Sequence, residues 1–238
     1  MKKCVIPISG GLDSTVILHN AKKALGFDEI YCVSFDYGQR HVRELECASY
    51  QCNEVGVNEH KSLDIRFVKD IVTTSSLTNM NIDVAKTKDI LGDPQTVNYV
   101  PFRNMMMLSI CCAYAESVGA DTVFHGAALV DSQAGYWDGS KEFLESINNV
   151  VSLNRRDRIT VEAPLIELSK QEIVELGIEL HINFAETHTC YSGNKIADAS
   201  NPASSSRIQG FIKAGYIDPI KYKQKIPWKD YNCTKLPY

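Results

Sequence analysis

Six residues, Ser9-Gly10-Gly11-Leu12-Asp13-Ser14, constrain this chain more than any other stretch. They follow a short apolar run, Val5 to Ile8, that reads as a buried strand. They open a helical pattern over residues 13–25, in which Val16, Ile17, Leu18, Ala21 and Leu25 form one apolar face. Two glycines let a backbone approach an anion closely. The N–H groups at a helix N-terminus, aided by the helix dipole, then bind phosphate oxygens. Ser9 and Ser14 add hydroxyls, and Leu12 completes the loop. Asp13 repels a phosphate unless a cation lies between them, which points to Mg²⁺. A bare Ser-Gly-Gly reads as a turn followed by an N-cap. The full six residues between strand and helix favour a phosphate loop. The pattern is not G-x-x-x-x-G-K-[ST], which excludes a Walker-type NTPase.

Strand and helix signals alternate through the first 180 residues. Strands are expected at residues 5–8, 30–35, 61–65, 122–125 and 159–161, and helices at 13–25, 41–55, 103–118, 141–152 and 170–176. Ser169, with Glu172 three residues on, forms a capping box at the start of the last helix. This alternation predicts an α/β fold, a parallel sheet with helices on both faces, with ligands at the carboxyl ends of the strands. Pro7 is awkward in a central strand, because it has no N–H for the ladder. Beyond Leu180 the pattern weakens, and residues 194–207 are rich in Ser, Ala, Asn and Asp. The organisation expected is a nucleotide-binding domain over residues 1–180 and a small helical C-terminal appendage over residues 181–238 that completes the site.

Composition excludes several classes. No apolar run reaches the ~20 residues of a membrane span. The start, Met1-Lys2-Lys3-Cys4-Val5, lacks the long apolar core of a signal peptide, so a cytoplasmic protein is expected. A net charge of −4 argues against a nucleic-acid partner. Arg155, Arg156 and Arg158, and Lys221, Lys223 and Lys225, read as solvated faces. None of the eight cysteines sits in a C-x-x-C spacing, so most read as small buried hydrophobes.

Ser9 to Ser14 resembles the pyrophosphatase loop, or PP-loop, S-G-G-x-D-S. Enzymes with that loop cleave ATP to AMP and pyrophosphate and have an adenine nucleotide alpha hydrolase-like fold. Further segments narrow the resemblance: residues 34–41 (Ser-Phe-Asp-Tyr-Gly-Gln-Arg-His), 100–104 (Val-Pro-Phe-Arg-Asn), 135–138 (Gly-Tyr-Trp-Asp), 164–170 (Pro-Leu-Ile-Glu-Leu-Ser-Lys) and 186–193 (Glu-Thr-His-Thr-Cys-Tyr-Ser-Gly). In this order and spacing they resemble the 7-cyano-7-deazaguanine synthase family over about residues 4–215. The resemblance implies a carbon–nitrogen ligase that adenylates 7-carboxy-7-deazaguanine, releases pyrophosphate, and passes the acyl group to ammonia, giving an amide and then a nitrile. A carboxylate is a poor electrophile; adenylation supplies a good leaving group, and Mg²⁺ and cations stabilise the developing charge. The implied cofactors are ATP and Mg²⁺, with a small-molecule deazaguanine substrate and a homodimer.

Residue roles follow from the match and the chemistry. Ser9, Gly10, Gly11, Leu12, Asp13 and Ser14, with Gln39 and Arg40, are expected at ATP, with Asp13 also a Mg²⁺ ligand. Arg103 and Lys170 are the candidate catalytic cations, beside Asp13. A lysine in the first turn of a helix is mildly disfavoured by the dipole, which favours a ligand role for Lys170. Tyr37, Phe102, Tyr136, Trp137 and Asp138 are the substrate candidates. Asp138 suits the N–H edge of a guanine-like base and an aromatic ring suits its face. A turn Asp flanked by core aromatics is an equal reading of that segment, and an ordinary loop is an equal reading of Tyr37, Gln39, Arg40 and His41.

The chain departs from the family in two places. The family's cysteine in T-C-Y-x-G is one of four zinc ligands, and the other three follow in a C-G-x-C-x-x-C run. Here Cys190 is the only remaining family ligand, and the other positions fall on Asp198, Asn201 and Ser204. Structural zinc takes four Cys or His ligands, so no zinc is expected, and hydrogen bonding must hold the segment. Gly139-Ser140 also stands where the family has Cys-Arg. An alternative reading is therefore a diverged ligase that joins the activated deazaguanine to another amine, such as a protein N-terminus. A non-catalytic nucleotide-binding module is a further alternative, disfavoured by the intact loop with Arg103 and Lys170.

Overall fold

The computed structural model describes residues 1–38, 42–87, 96–134, 136–154, 156, 158–191 and 195–237. The strands are β1 (Lys3–Pro7), β2 (Glu29–Asp36), β3 (Glu59–Asp64), β4 (Thr122–Phe124) and β5 (Thr160–Glu162). They pair in the order β3-β2-β1-β4-β5, and every pairing is parallel. The helices are α1 (Leu12–Lys23), α2 (Val42–Val55), α3 (Val68–Ile71), α4 (Arg103–Val118), α5 (Leu129–Gln133), α6 (Lys141–Val151), α7 (Lys170–Glu179) and α8 (Pro202–Ala214).

Side-chain alternation along β1 separates two cores. Cys4, Ile6 and Ile8 face one layer with Leu12, Val16 and Ile17 of α1, Cys52 of α2, Ile173 of α7 and Phe211 of α8. Val5 faces the other layer with Leu108 and Cys111 of α4 and Phe143 and Ile147 of α6. Helices therefore cover both faces, as the alternation predicts. The chain beyond residue 180 shares the first core through Ile182, Phe184 and Phe211. Seven cysteines are buried and Cys112 is half-buried, and no disulfide links them among the described residues.

Pro7 costs no ladder bond. The Ile8 N–H donates to Val33 O of β2 at 2.9 Å, so strand alternation turns the Pro7 nitrogen toward β4. That pairing already ends at Val5↔Val123. Helix α7 runs past its expected end, through Gly177 to Glu179. A Cβ on Gly177 would lie 2.3 Å from the Phe184 ring, so this glycine serves a close approach and not a stop. Helix α8 rises inside the Ser- and Asn-rich stretch. Asn201 caps it by accepting from Ser204 N, and Pro202 takes the first helical position. Among the described residues, no helix is long and apolar enough to cross a membrane.

Candidate active site

The chain leaves β1 for β2 on one side and later returns to β4 on the other, so the loops after β1 and β4 part above the sheet. A ligand crevice belongs at such a switch point. A cleft of about 380 Å³ lies there, lined by Ser9, Gly11, Asp13 and Ser14 after β1 and by His125, Gly126 and Ala127 after β4. Leu12, Tyr37, Arg103, Tyr136, Asp138 and Lys170 also line it.

The loop after β1 is a compact turn. Ser14 Oγ accepts from Ser9 N at 3.2 Å, the two hydroxyls bond at 3.0 Å, and Ser9 Oγ accepts from Gly11 N at 3.2 Å. Gly10 sits behind it at φ +79°, where a Cβ would lie 2.1 Å from Glu44 O and 2.5 Å from Ala48 N. Gly10 thus lets α2 press on the loop, which is a different duty from approaching an anion. Lys170, the first residue of α7, reaches Asp13 with Nζ–Oδ1 at 2.6 Å. Ser169 caps that helix through the expected capping box with Glu172.

Arg103 opens α4 directly after Phe102, whose backbone is left-handed at φ 55°. A left-handed non-glycine residue costs ~1–2 kcal/mol and sits where the surrounding structure imposes it. The Arg103 guanidinium lies 5.9 Å from the Tyr37 ring and donates to its hydroxyl at 3.4 Å. Asp138 is buried, and its carbonyl oxygen accepts from His125 Nε2 at 2.7 Å. Its carboxylate makes no hydrogen bond among the described residues. Phe102 and Trp137 pack edge to face at 5.4 Å and do not line the cleft; Trp137 Nε1 donates to Tyr99 Oη at 2.7 Å. Gln39, Arg40 and His41 lie outside the described residues.

Three further residues that the sequence did not single out join the site. Asp131, on the short helix α5, lines the cleft. Burial pushes its carboxyl up to about 6, opposed by Lys170 and reinforced by Asp13 and Asp138. Gly139 packs directly on it: a Cβ there would lie 2.5 Å from Asp131 Cβ. Thr189 lines the cleft from the C-terminal segment, its hydroxyl accepting from Leu12 N at 3.1 Å. Glu44 lines it from the first turn of α2, where an acid looks like ordinary helix-dipole complement.

Burial pushes the Glu44 carboxyl up to about 8, against the Cys190 amide and Arg103, which favour the ionised form. An unfolded Glu titrates near about 4.3. Between these pH values the folded chain holds a proton that the unfolded chain has released. The stability tied to this group is therefore complete below about pH 4.3 and is lost as pH rises through about 8. Glu44→Gln should melt with the wild type near pH 4.5 and above it at pH 8. Melting curves recorded across that range check this; an offset constant with pH would refute the assignment.

The four positions matched to the family's zinc ligands do meet in space, as a knot of hydrogen bonds. Cys190 Sγ accepts from Asp198 N at 3.2 Å and Asn201 Nδ2 at 3.3 Å. Ser204 Oγ donates to Thr189 O at 2.9 Å, and Asn201 Oδ1 accepts from Ser204 N at 3.1 Å. The Asp198 carboxylate binds Ser200 and Gln224 instead of facing the sulfur. Polar hydrogens thus aim at the thiol where a cation would have to sit. This donor set, with an amide and a hydroxyl, does not fit zinc.

The queuosine biosynthesis protein QueC family model matches residues 3–215. A 7-cyano-7-deazaguanine synthase of Oceanobacillus iheyensis is 41% identical over 223 residues, covering 93% of this chain and 98% of that protein. One from Thermoplasma volcanium is 37% identical over 244 residues, covering 99% of this chain and 97% of that protein. Among solved structures, an NMN synthetase from Francisella tularensis aligns with TM-score 0.51 at 15% identity, over 96% of this chain and 83% of that one. The U34-tRNA thiolase NcsA from Methanococcus maripaludis aligns with TM-score 0.51 at 18% identity, over 88% of this chain and 64% of that one. These two likenesses concern the fold, which is that of the PP-loop proteins. With the Ser9–Ser14 loop at the sheet's switch point and a sequence match running through nearly every element, the chain belongs to the QueC family.

Proposed function

We propose that this chain is an ATP-dependent ligase that activates 7-carboxy-7-deazaguanine as an acyl-adenylate, releases pyrophosphate, and passes the acyl group to ammonia to give the amide and nitrile. The observation that carries this reading is the meeting of Asp13 and Lys170 at 2.6 Å on the rim of a cleft that also holds Arg103 and the Ser9–Ser14 loop. Lys170 and Arg103 place positive charge where an α-phosphate and a leaving pyrophosphate need it. Tyr136 and Asp138 line the same cleft and offer a ring face and a carboxylate to a guanine-like base.

Asp13 and Asp131 both line the cleft and would supply oxygen donors of the kind Mg²⁺ takes. Among the described residues no cluster of three or more His, Cys, Asp or Glu side chains gathers around one point. Such a site suits Mg²⁺, which binds through one or two carboxylates and the substrate's phosphates and supplies charge neutralisation there. Zinc is not part of the proposal. Elemental analysis of the purified protein should find no stoichiometric zinc, and chelators should leave its melting temperature unchanged. One zinc per chain, lost in Cys190→Ser, would overturn this.

The test of function supplies ATP, Mg²⁺, 7-carboxy-7-deazaguanine and ammonia, and follows nucleotide and deazaguanine products by mass spectrometry. AMP and pyrophosphate released only with the carboxylate present is the expected result; ADP and phosphate would refute it. A second reading keeps this activation and changes the amine. Its support is Gly139, which stands at a family Cys position and packs directly against Asp131, both of them lining the cleft. Acyl-adenylate that accumulates with ammonia but is consumed by an amine-bearing partner favours that reading.

A further inference from the structure

We propose that Thr189 is a phosphate ligand of the ATP site, its hydroxyl proton held ready for an anionic oxygen of the nucleotide. This inference rests on the ATP-dependent activation proposed above and adds a residue far in sequence from the Ser9–Ser14 loop.

The argument starts from the capacity of a hydroxyl, which has two acceptor lone pairs and one proton. Leu12 N donates to Thr189 Oγ1 at 3.1 Å. Leu12 opens α1, so its amide is one of the helix's unsatisfied N-terminal donors. Arg207 Nη1 donates to the same oxygen at 3.5 Å. Both lone pairs are then engaged, and what remains is the O–H bond. The hydroxyl donates no hydrogen bond among the described residues, and Thr189 lines the cleft beside Ser9, Gly11, Asp13 and Lys170. The loop's own hydroxyls are spent differently: Ser9 and Ser14 bond to each other, and Ser14 Oγ lies 3.4 Å from Gly11 O.

The backbone around Thr189 is fixed from both sides. His188 N donates to Gly10 O at 2.9 Å, which locks the segment onto the phosphate loop. Ser204 Oγ donates to Thr189 O at 2.9 Å, and Cys190 follows inside the hydrogen-bonded knot. A donor held in place before the ligand arrives loses little on binding. Two positive sources, the α1 N-terminus and the buried Arg207, draw electron density from the hydroxyl oxygen and strengthen its proton as a donor to an anion. The knot at the family's zinc positions thereby gains a purpose: it carries the Thr189 hydroxyl to the phosphates.

The test measures binding of ATP, pyrophosphate and adenosine by calorimetry to wild type, Thr189→Val and Thr189→Ser. Thr189→Val keeps the shape and removes the hydroxyl. It should weaken ATP and pyrophosphate about 10-fold, the scale of one hydrogen bond to a charged group, and leave adenosine affinity unchanged. Thr189→Ser should restore both. Equal ATP affinity in wild type and Thr189→Val overturns the inference alone, as does a Ser variant as weak as the Val variant. Adenosine weakened in parallel with ATP also overturns it, because the residue would then act on the fold. A wild type that binds neither ATP nor pyrophosphate overturns both this inference and the function it rests on. Should Thr189→Val not fold, Thr189→Cys replaces it, with a sulfur that still accepts from Leu12 and a thiol that donates poorly, under the same outcomes.

Discussion

Lys170→Ala is expected to slow carboxylate-dependent pyrophosphate release by about 100-fold or more, the scale of losing one transition-state charge contact. The position itself argues for this. A lysine at the first residue of a helix meets the positive end of the dipole, a placement that costs a few tenths of a kcal/mol or more. Here the Ser169–Glu172 capping box starts α7 at this residue, and the side chain reaches Asp13 in the Ser9–Ser14 loop. The stem is enclosed by α8: a Cβ on Gly210 would lie 2.7 Å from Lys170 Cγ. Only 14% of the side chain is exposed, so its charge acts in a partly desolvated site where Coulomb terms are stronger than in water. In the free protein Asp13 balances that charge at 2.6 Å. Removing the amine leaves Asp13 unbalanced against incoming phosphates, which adds repulsion to the lost attraction. ATP–pyrophosphate exchange with the carboxylate present reads the effect, and circular dichroism checks the fold. Exchange within a factor of a few of wild type would return Lys170 to a structural duty.

The parts of this site that could be read from sequence are those built by neighbours in the chain. The Ser9–Ser14 loop, the Ser169 capping box and the strand–helix alternation each depend on a few consecutive residues, and each appears where expected. Cleft position followed for Tyr37, Arg103, Tyr136, Asp138 and Lys170, because the family motifs mark those segments. Glu44 and Asp131 gave no signal for their role, and Thr189, although it lies in the family segment 186–193, was not singled out there, because each meets the site through a distant partner. Glu44 is an unremarkable first-turn acid until the Cys190 amide closes on it. Asp131 sits on a five-residue helix with no periodicity to read. Phe102 and Trp137, in the same family segments, pack on each other and are not among the residues lining the cleft. The position of α8 was hidden by its Ser-rich composition, although Asn201-Pro202 is in hindsight a cap followed by a favoured first residue.

The largest stability effect is expected at Asp218, through its pairing with the buried Arg207. Arg207 is 1% exposed, and all five of its N–H groups have partners. Nε donates to Asp218 Oδ2 at 2.7 Å and Nη2 to Asp218 Oδ1 at 2.9 Å, a bidentate pair. Nη2 also reaches Phe184 O at 3.2 Å, while Nη1 serves Thr187 and Thr189. Asp218 is equally full, accepting in addition from Tyr222 Oη at 2.6 Å and Ile220 N at 3.2 Å. The pair therefore ties α8, the segment at 184–189 and the chain at 218–222 into one unit. Asp218→Ala removes the counter-charge and leaves a guanidinium buried without compensation. The expected loss is about 3–5 kcal/mol, a large share of the roughly 5–15 kcal/mol that holds a typical domain. Urea unfolding measures it. The double variant Arg207→Met, Asp218→Leu removes both charges and should recover much of that loss, because filling the volume with apolar atoms avoids the unpaired charge. Its ATP affinity should nevertheless stay low, since Thr189 loses the guanidinium that polarises it. A single variant that costs less than about 1 kcal/mol would show that water reaches Arg207 and replaces the carboxylate, and would remove the argument that this pair fixes the C-terminal segment over the Ser9–Ser14 loop.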